Sequence, residues 1–89
     1  MEDSISQLSI LKAVSNDKRL KILKELKHKQ SANVTEISEW LQISIPACSE
    51  HLKQMEDANV LVAKRRGMNV IYRLPLKIDP ISQLVIANL

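Results

Sequence analysis

Glycine, cysteine and aromatic residues are scarce in this sequence of 89 residues, and each scarcity excludes something. There is one glycine, one cysteine and no phenylalanine, and aromatic residues make up only 2% of the chain. A single cysteine excludes an intrachain disulfide. Because the apolar residues are almost all aliphatic, we predict a core made mainly of helices packed on one another.

The sequence also lacks the signatures of an enzyme, a membrane protein or a metal centre. It has no Gly-rich phosphate loop, no nucleophile with a partner base and no set of metal ligands. It has no signal peptide and no long apolar run. We therefore predict a non-enzymatic, cytoplasmic protein with no metal or other cofactor and no membrane partner.

The size and charge of the chain fit one small domain with an anionic partner. A chain of 89 residues supports a single core, so residues 1–89 form one domain and a partner that adds buried area is favoured. The net charge is +3 and the pI is about 9.2. Positive residues are concentrated at residues 18–29 and 64–73.

Residues 44–58 have the pattern of a helix with one apolar and one polar face. Ser44 is a suitable N-cap, and proline at position 46 is tolerated in the first turn. The apolar stripe and the polar face are each made of residues at helical spacing. The stripe is Ile45, Cys48, Leu52 and Met55; the polar face is Ala47, Glu50, His51 and Gln54, flanked by Ser49 and Lys53.

Residues 60–74, here called the wing, have the pattern of a basic hairpin. Two runs rich in β-branched and aliphatic residues, 60–64 and 70–74, flank the only glycine, Gly67. Residues 65–69 form the turn between them and include Arg65, Arg66 and Asn69, with Lys64 before the turn and Arg73 behind it. A polar helix followed by such a ribbon suits duplex DNA, because a helix fits the major groove and arginines suit phosphates or the minor groove.

The remaining segments predict supporting helices. Residues 4–14 are amphipathic, residues 17–29 follow a cap at Ser15 or Asn16, and residues 34–41 follow a cap at Asn33 or Thr35, after a connection at 30–33. The basic face of residues 18–29 is either solvated or a phosphate-facing flank. A helix is also predicted after Pro80. It is strongly apolar, so its surface needs to be buried away from water against another part of the protein or a partner.

These elements together predict a mainly α winged helix-turn-helix, with about five helices and a two-stranded wing. Residues 34–58 form the helix-turn-helix, in which the second helix enters the groove. Residues 1–14 and 76–89 are dimerisation helices that pack against the same pair from a second copy. The predicted dimer contacts are Ile5, Leu8, Ile81, Leu84, Val85 and Leu89.

Three stretches resemble the winged-helix repressors of the ArsR/SmtB type. Residues 11–23 (LKAVSNDKRLKIL) resemble the family's opening, and residues 34–44 (VTEISEWLQIS) resemble the helix before the recognition helix. Residues 49–55 (SEHLKQM) resemble its Ser-x-His-Leu signature, and the wing is similar as well. The resemblance implies a homodimeric repressor that binds an imperfect palindrome and is released by a chemical signal. It maps the DNA-reading positions onto Ser44, Ala47, Ser49, Glu50, His51 and the wing arginines.

This sequence departs from the family mainly at the positions where other members detect their chemical signal. Metal-sensing members place cysteines where this chain has Asn33 and Thr35, and the terminal helix has Asp79 but no histidine. These differences argue against metal sensing, and one cysteine excludes a cysteine-pair redox switch. The effector is not identified by the sequence. Glu50 is also unusual, since a carboxylate accepts from cytosine N4 but repels phosphates.

Two residues and the function itself have alternative interpretations. Cys48 and His51 are three positions apart on one helix, a spacing typical of a pair of metal ligands. Cys48 belongs to the apolar stripe, however, and two further ligands are missing, so Cys48 is predicted to be a packing residue. His51 is either a groove contact or a packing residue bonded to backbone. The predicted DNA contacts are Ser44, Ala47, Ser49, Glu50, His51, Lys53, Gln54, Lys64, Arg65, Arg66 and Asn69. The alternative function is a winged-helix module for protein assembly without specific DNA binding.

Overall fold

A computed structural model describes residues 7–14 and 16–89, and these residues form five helices and three strands. The order along the chain is α1 (Gln7–Val14), α2 (Asp17–Lys29), β1 (Ser31–Asn33), α3 (Val34–Leu41), α4 (Ile45–Asp57), β2 (Val62–Arg66), β3 (Asn69–Arg73) and α5 (Pro80–Ala87). The five helices and the wing hairpin confirm the predicted winged helix-turn-helix. The strand β1 lies in a segment predicted to be a simple connection.

Polar side chains fix where the helices begin. The side chain of Asn16, one of the two predicted caps, accepts from the backbone amides of Lys18 and Arg19. Asn33 caps α3 as half of a capping box, in which its side chain accepts from the Glu36 amide and its own amide donates to the Glu36 carboxylate. Ser44 caps α4 as predicted, by accepting from the Ala47 amide.

The three strands form one antiparallel sheet in the order β1-β3-β2. β2 and β3 are joined by a two-residue turn at Gly67 and Met68, and Gly67 has a φ of 60°, a left-handed value that glycine adopts at little cost. The prediction placed the arginines in a longer turn, but Arg65 and Arg66 belong to β2. β1 adds to the free edge of β3, so the wing is anchored beside α3.

The core is aliphatic, as the composition predicts. Buried side chains come from α2, α3, α4, α5 and the start of the wing, and they include Ile22, Leu26, Ile37, Leu52 and Met55. α1 packs against α5, and Ile86 of α5 reaches the core. None of the helices in the described part of the chain is long and apolar enough to span a bilayer.

Two of the apolar positions predicted to be buried differ in the structure. Ile45 retains 47% of its accessible surface, so the prediction that it belongs to the buried stripe of α4 is wrong. It lies in the first turn of α4, before that helix meets the core. Leu20 of α2, whose helical spacing with Leu23 and Leu26 also predicts burial, is only half-buried. Trp40 packs at the edge of the core, with the Lys29 ammonium 5.2 Å from the centre of its ring.

Candidate nucleic-acid interface

The helix α4 presents a polar face to solvent, because its opposite face is bound to the core through Cys48, Leu52 and Met55. Its first turn contains no acidic residue, so the positive end of the helix dipole is not neutralised from within the helix. Seven predicted contacts belong to this face or its cap. Six are exposed and His51 is half-buried; the seven are Ser44, Ala47, Ser49, Glu50, His51, Lys53 and Gln54.

A polar network across two helices organises the centre of this face, and its key member, Arg19 of α2, was not among the predicted contacts. Arg19 Nε donates to His51 Nδ1 at 3.1 Å, and Arg19 Nη2 donates to Gln54 Oε1. Arg19 Nη1 donates to the carbonyl of Lys12 in α1 at 3.3 Å. Gln54 Nε2 in turn donates to Glu50 Oε2 at 3.1 Å. One guanidinium thus connects α1, α2 and α4.

His51 is therefore bonded to a side chain rather than to backbone. Partial burial lowers the pKa of His51, and the nearby positive charges of Arg19 and Lys18 lower it further, while Glu50 acts in the opposite direction. Its imidazole is neutral at physiological pH. Sequence reasoning missed Arg19 because the partners are 32 positions apart.

Lys53 is the positively charged residue on this face of α4, and it has an acidic neighbour one turn away. Its ammonium lies 3.5 Å from the Asp57 carboxylate, and both side chains are largely exposed. A pair this exposed contributes little to stability and leaves the lysine available to an anion.

The wing carries its positive charge on both faces of the sheet. Residues paired across antiparallel strands share a face, so Arg65 lies with Val70 on the side of Tyr72, which packs against the core. Lys64, Arg66 and Asn69 lie on the outer face. No described carboxylate is within ion-pair distance of Lys64, Arg65 or Arg66.

A basic cleft on the outer face adds two residues that the sequence did not single out as contacts. It has a volume of about 380 Å³ and is lined by Ser31, Lys64, Arg66, Ile71 and Arg73. Ser31 and Arg73 are brought there by the pairing of β1 with β3. Because β1 was not predicted, its contribution could not be found from sequence.

A second cleft lies beside the helix-turn-helix. It has a volume of about 320 Å³ and combines residues of α2 with the end of α3: Asp17, Lys18, Lys21, Trp40, Leu41 and Gln42. Gln42 adopts the left-handed conformation, with a φ of 55°, and turns the chain toward α4. Lys18 and Lys21 therefore lie next to the turn that precedes α4.

The terminal helices leave an apolar surface exposed. Leu8 retains 62%, Leu11 50% and Leu84 68% of their accessible surface. The other predicted dimer residues in α5 and beyond it, Ile81, Val85 and Leu89, are half-buried against the chain's own core. Ile5 lies outside the described residues.

The described residues do not gather a metal-ligand set: no three His, Cys, Asp or Glu side chains among them are placed to share an ion. Cys48 is fully buried in the apolar stripe, 3.9 Å from the carbonyl of Val34, and burial raises the pKa of its thiol. The prediction that Cys48 is a packing residue is confirmed by this position.

Comparison with known families identifies the central part of the chain. The model of the family described as bacterial regulatory protein, arsR family, matches residues 16–62. This segment runs from the cap of α2 to the start of β2 and contains the whole helix-turn-helix.

Characterised relatives are transcriptional regulators. The chain is 28% identical over 74 residues to the arsenic resistance transcriptional regulator ArsR1 of Pseudomonas putida, covering 83% of this chain and 58% of that protein. It is 34% identical over 65 residues to the transcriptional repressor PagR of Bacillus anthracis, covering 73% and 65%. The chain therefore spans less than two thirds of the length of either relative.

Solved structures give the same result. The crystal structure of PagR matches with a TM-score of 0.75 and 30% identity, covering 91% of this chain and 88% of that one. HlyU from Vibrio cholerae matches with a TM-score of 0.76 and 27% identity, covering 91% and 84%.

Proposed function

Because the chain belongs to the arsR family of bacterial regulatory proteins, a family of transcriptional regulators, we propose that it binds duplex DNA as a homodimer and represses transcription from an inverted repeat. It acts in the cytoplasm, where bacterial DNA lies, and as a regulator rather than an enzyme. The observation that carries this proposal is one folded unit with an exposed polar helix face and an arginine hairpin that has no carboxylate partner among the residues the structure describes.

The recognition role falls to α4. Its exposed residues are short or flexible, and an α-helix fits the width of the major groove. Ser44 and Ala47 lie at its N-terminal end, where backbone amides and the helix dipole favour a phosphate or a base acceptor. Glu50 faces the same solvent and restricts which bases this part of the helix tolerates.

The wing supplies the sequence-independent part of the affinity. Arg65 and Arg66 project from opposite faces of the ribbon, so they reach phosphates on different sides of it. Arg73 and Lys64 add to the charge of the outer cleft. Each phosphate that such a residue neutralises releases counterions, which makes binding salt-dependent.

Dimerisation is supported by the apolar surface of α1 and α5, with Leu8, Leu11 and Leu84 at its most exposed points. The partner that covers this apolar surface is a second copy of the chain. A symmetric dimer matches an inverted repeat, because each recognition helix can then lie in one half-site.

The test is selection of bound sequences from random duplexes at two salt concentrations, with mass measured in parallel. An inverted repeat with half-sites about one helical turn apart, bound by two chains, is the expected result. Sequence-blind binding, together with a stable complex with another protein through residues 76–89, would instead establish the assembly-module alternative.

The wing is tested on the recovered operator. Arg65→Ala and Arg66→Ala should each weaken binding to all sequences and reduce the salt slope by about one. Lys29→Ala removes one positive charge at the far end of α2, where the lysine contacts Glu25 and Trp40, and serves as the matched control. Unchanged affinity and salt slope in the double arginine variant would show that the wing does not contact DNA.

A further inference from the structure

The guanidinium of Arg19 reaches from α2 to two side chains on the exposed face of α4, and this contact has chemical consequences. We propose that Arg19 is a positioning residue that fixes the imidazole of His51 so that the Nε2–H of His51 donates a hydrogen bond to DNA. Gln54, which accepts from the same guanidinium, helps to hold Arg19 in place. This inference rests on the proposed function, because it concerns how the same interface reads sequence.

The direction of one hydrogen bond determines the form of the imidazole. Arginine only donates, so His51 Nδ1 must offer its lone pair to Arg19 Nε, 3.1 Å away. A neutral imidazole has one proton, which must then lie on Nε2. That nitrogen is not used in the network, and as a donor it pairs with purine N7 or O6, thymine O4 or a phosphate oxygen, but not with cytosine N4.

Gln54 has a different role from the one the sequence indicated. Its amide oxygen accepts from Arg19 and its amide nitrogen donates to Glu50 Oε2 at 3.1 Å. Each end of the amide has a protein partner, so the amide is oriented by Arg19 and Glu50 and a bidentate contact with adenine would compete with these bonds. Gln54 instead holds the Glu50 carboxylate along the helix, one turn before it.

The charges around His51 maintain this arrangement. Arg19 and Lys18 face it from α2, and Glu50 is its neighbour on α4. A protonated ring would lose the bond from Arg19 Nε and place a second positive charge beside the guanidinium. The donor form is therefore the form present at neutral pH.

The free protein provides the first test, because the chain has only two histidines and His28 is exposed. Nitrogen-15 spectra of labelled histidine should show His51 with its proton on Nε2 at neutral pH. Arg19→Gln should raise the titration midpoint of His51 more than Lys18→Gln, which removes the same charge but no hydrogen bond to the ring. Equal shifts in the two variants, or a proton on Nδ1, would overturn the proposal.

Binding to DNA provides the second test, with operators changed at single base pairs. Arg19→Lys keeps the charge but not the fork of donors, and it should reduce discrimination at the base pair that His51 reads by roughly 5- to 160-fold, the range for one mismatched contact. Lys18→Gln should weaken all operators alike. Adding Arg19→Lys to His51→Gln should change discrimination no further at the base pair that His51 reads, since at that position both act through one contact.

The two levels of the proposal fail differently. Specific binding with wild-type discrimination in a folded Arg19→Lys variant would overturn this inference and leave the proposed function intact. If the nitrogen-15 spectra were as expected but the protein preferred no DNA sequence, the proposed function would be overturned. The role of His51 in reading DNA would then be overturned with it. Circular dichroism of each variant confirms that the fold is retained.

Discussion

At the scale of single residues, Cys48 and His51 are three positions apart on α4 but have opposite environments. Cys48 is fully buried and its thiol pKa is raised by burial, so the reactive thiolate is disfavoured. His51 is half-buried and bonded to Arg19. The same helix thus has a buried packing thiol on its core face and a partly exposed imidazole on its outer face.

His51 predicts a pH dependence of stability. Its pKa in the folded chain lies below the ordinary value of 6.5, so as the pH falls through 6.5 the unfolded chain takes up a proton first. The stability present above that pH is then lost as the pH falls toward the lower folded-state value. Urea unfolding between pH 7.5 and 5.5 should show a smaller loss for His51→Gln than for the wild type.

The exposed histidine is the matched control. His28→Gln should retain the wild-type pH dependence, because His28 lies on the surface near the end of α2. If His51→Gln and the wild type lost stability equally over this range, His51 would not be the group responsible.

The sequence predicts buried residues better than paired ones. The helical spacing of Cys48, Leu52 and Met55 was sufficient to predict a core stripe, because burial follows from one helix alone. The contact of Arg19 with His51 depends on how α2 crosses α4, and spacing within either helix does not contain that information. Ile45 fits the spacing but lies beyond the reach of the core.

At the scale of elements, helix boundaries are the part that local chemistry determines best. Asn16, Ser44 and Asp79 each accept from an amide in the first turn of the helix that follows. By contrast, β1 is only three residues long and has no alternating apolar pattern of its own. Its hydrogen bonds come from β3, some forty residues later, so only the folded chain identifies it.

The cap of α3 predicts a difference between two neighbouring candidates. Asn33→Ala removes the capping box and should lower the free energy of unfolding by about 1 kcal/mol. Thr35→Ala should have a much smaller effect, because the Thr35 contact with Ser38 uses its backbone carbonyl. Urea denaturation measures the free energy of unfolding of both variants. If the two variants lost the same free energy, the assignment of Asn33 as the cap would be wrong.

At the scale of the whole molecule, the chain is small and its terminal helices are incompletely covered. Its radius of gyration over the described residues is 12.4 Å, and α1 lies against α5 with leucines exposed on both. A core of this size gives limited stability, so covering those leucines with a second copy, as proposed, would add buried apolar area.

Leu84→Glu tests this surface. Burying an unpaired carboxylate at a subunit contact costs about 3 kcal/mol or more, so the dissociation constant of the dimer should rise at least a hundredfold. Analytical ultracentrifugation should then find single chains where the wild type gives pairs. Met68→Glu makes the same exchange at the exposed wing tip and should leave the mass unchanged. A dimeric Leu84→Glu variant would place the subunit contact elsewhere.

Asn33 is both the last residue of β1 and the cap of α3, so no linker separates the sheet that anchors the wing from the helix that braces α4. The wing and α4 are consequently connected through packed elements, because β1 pairs with β3 of the wing and α3 packs against α4. If α4 and the wing contact DNA as proposed, the distance between their contacts is set by this packing. We therefore predict that a signal that releases the proposed dimer from DNA changes how the two copies are joined, rather than the spacing of contacts within one copy.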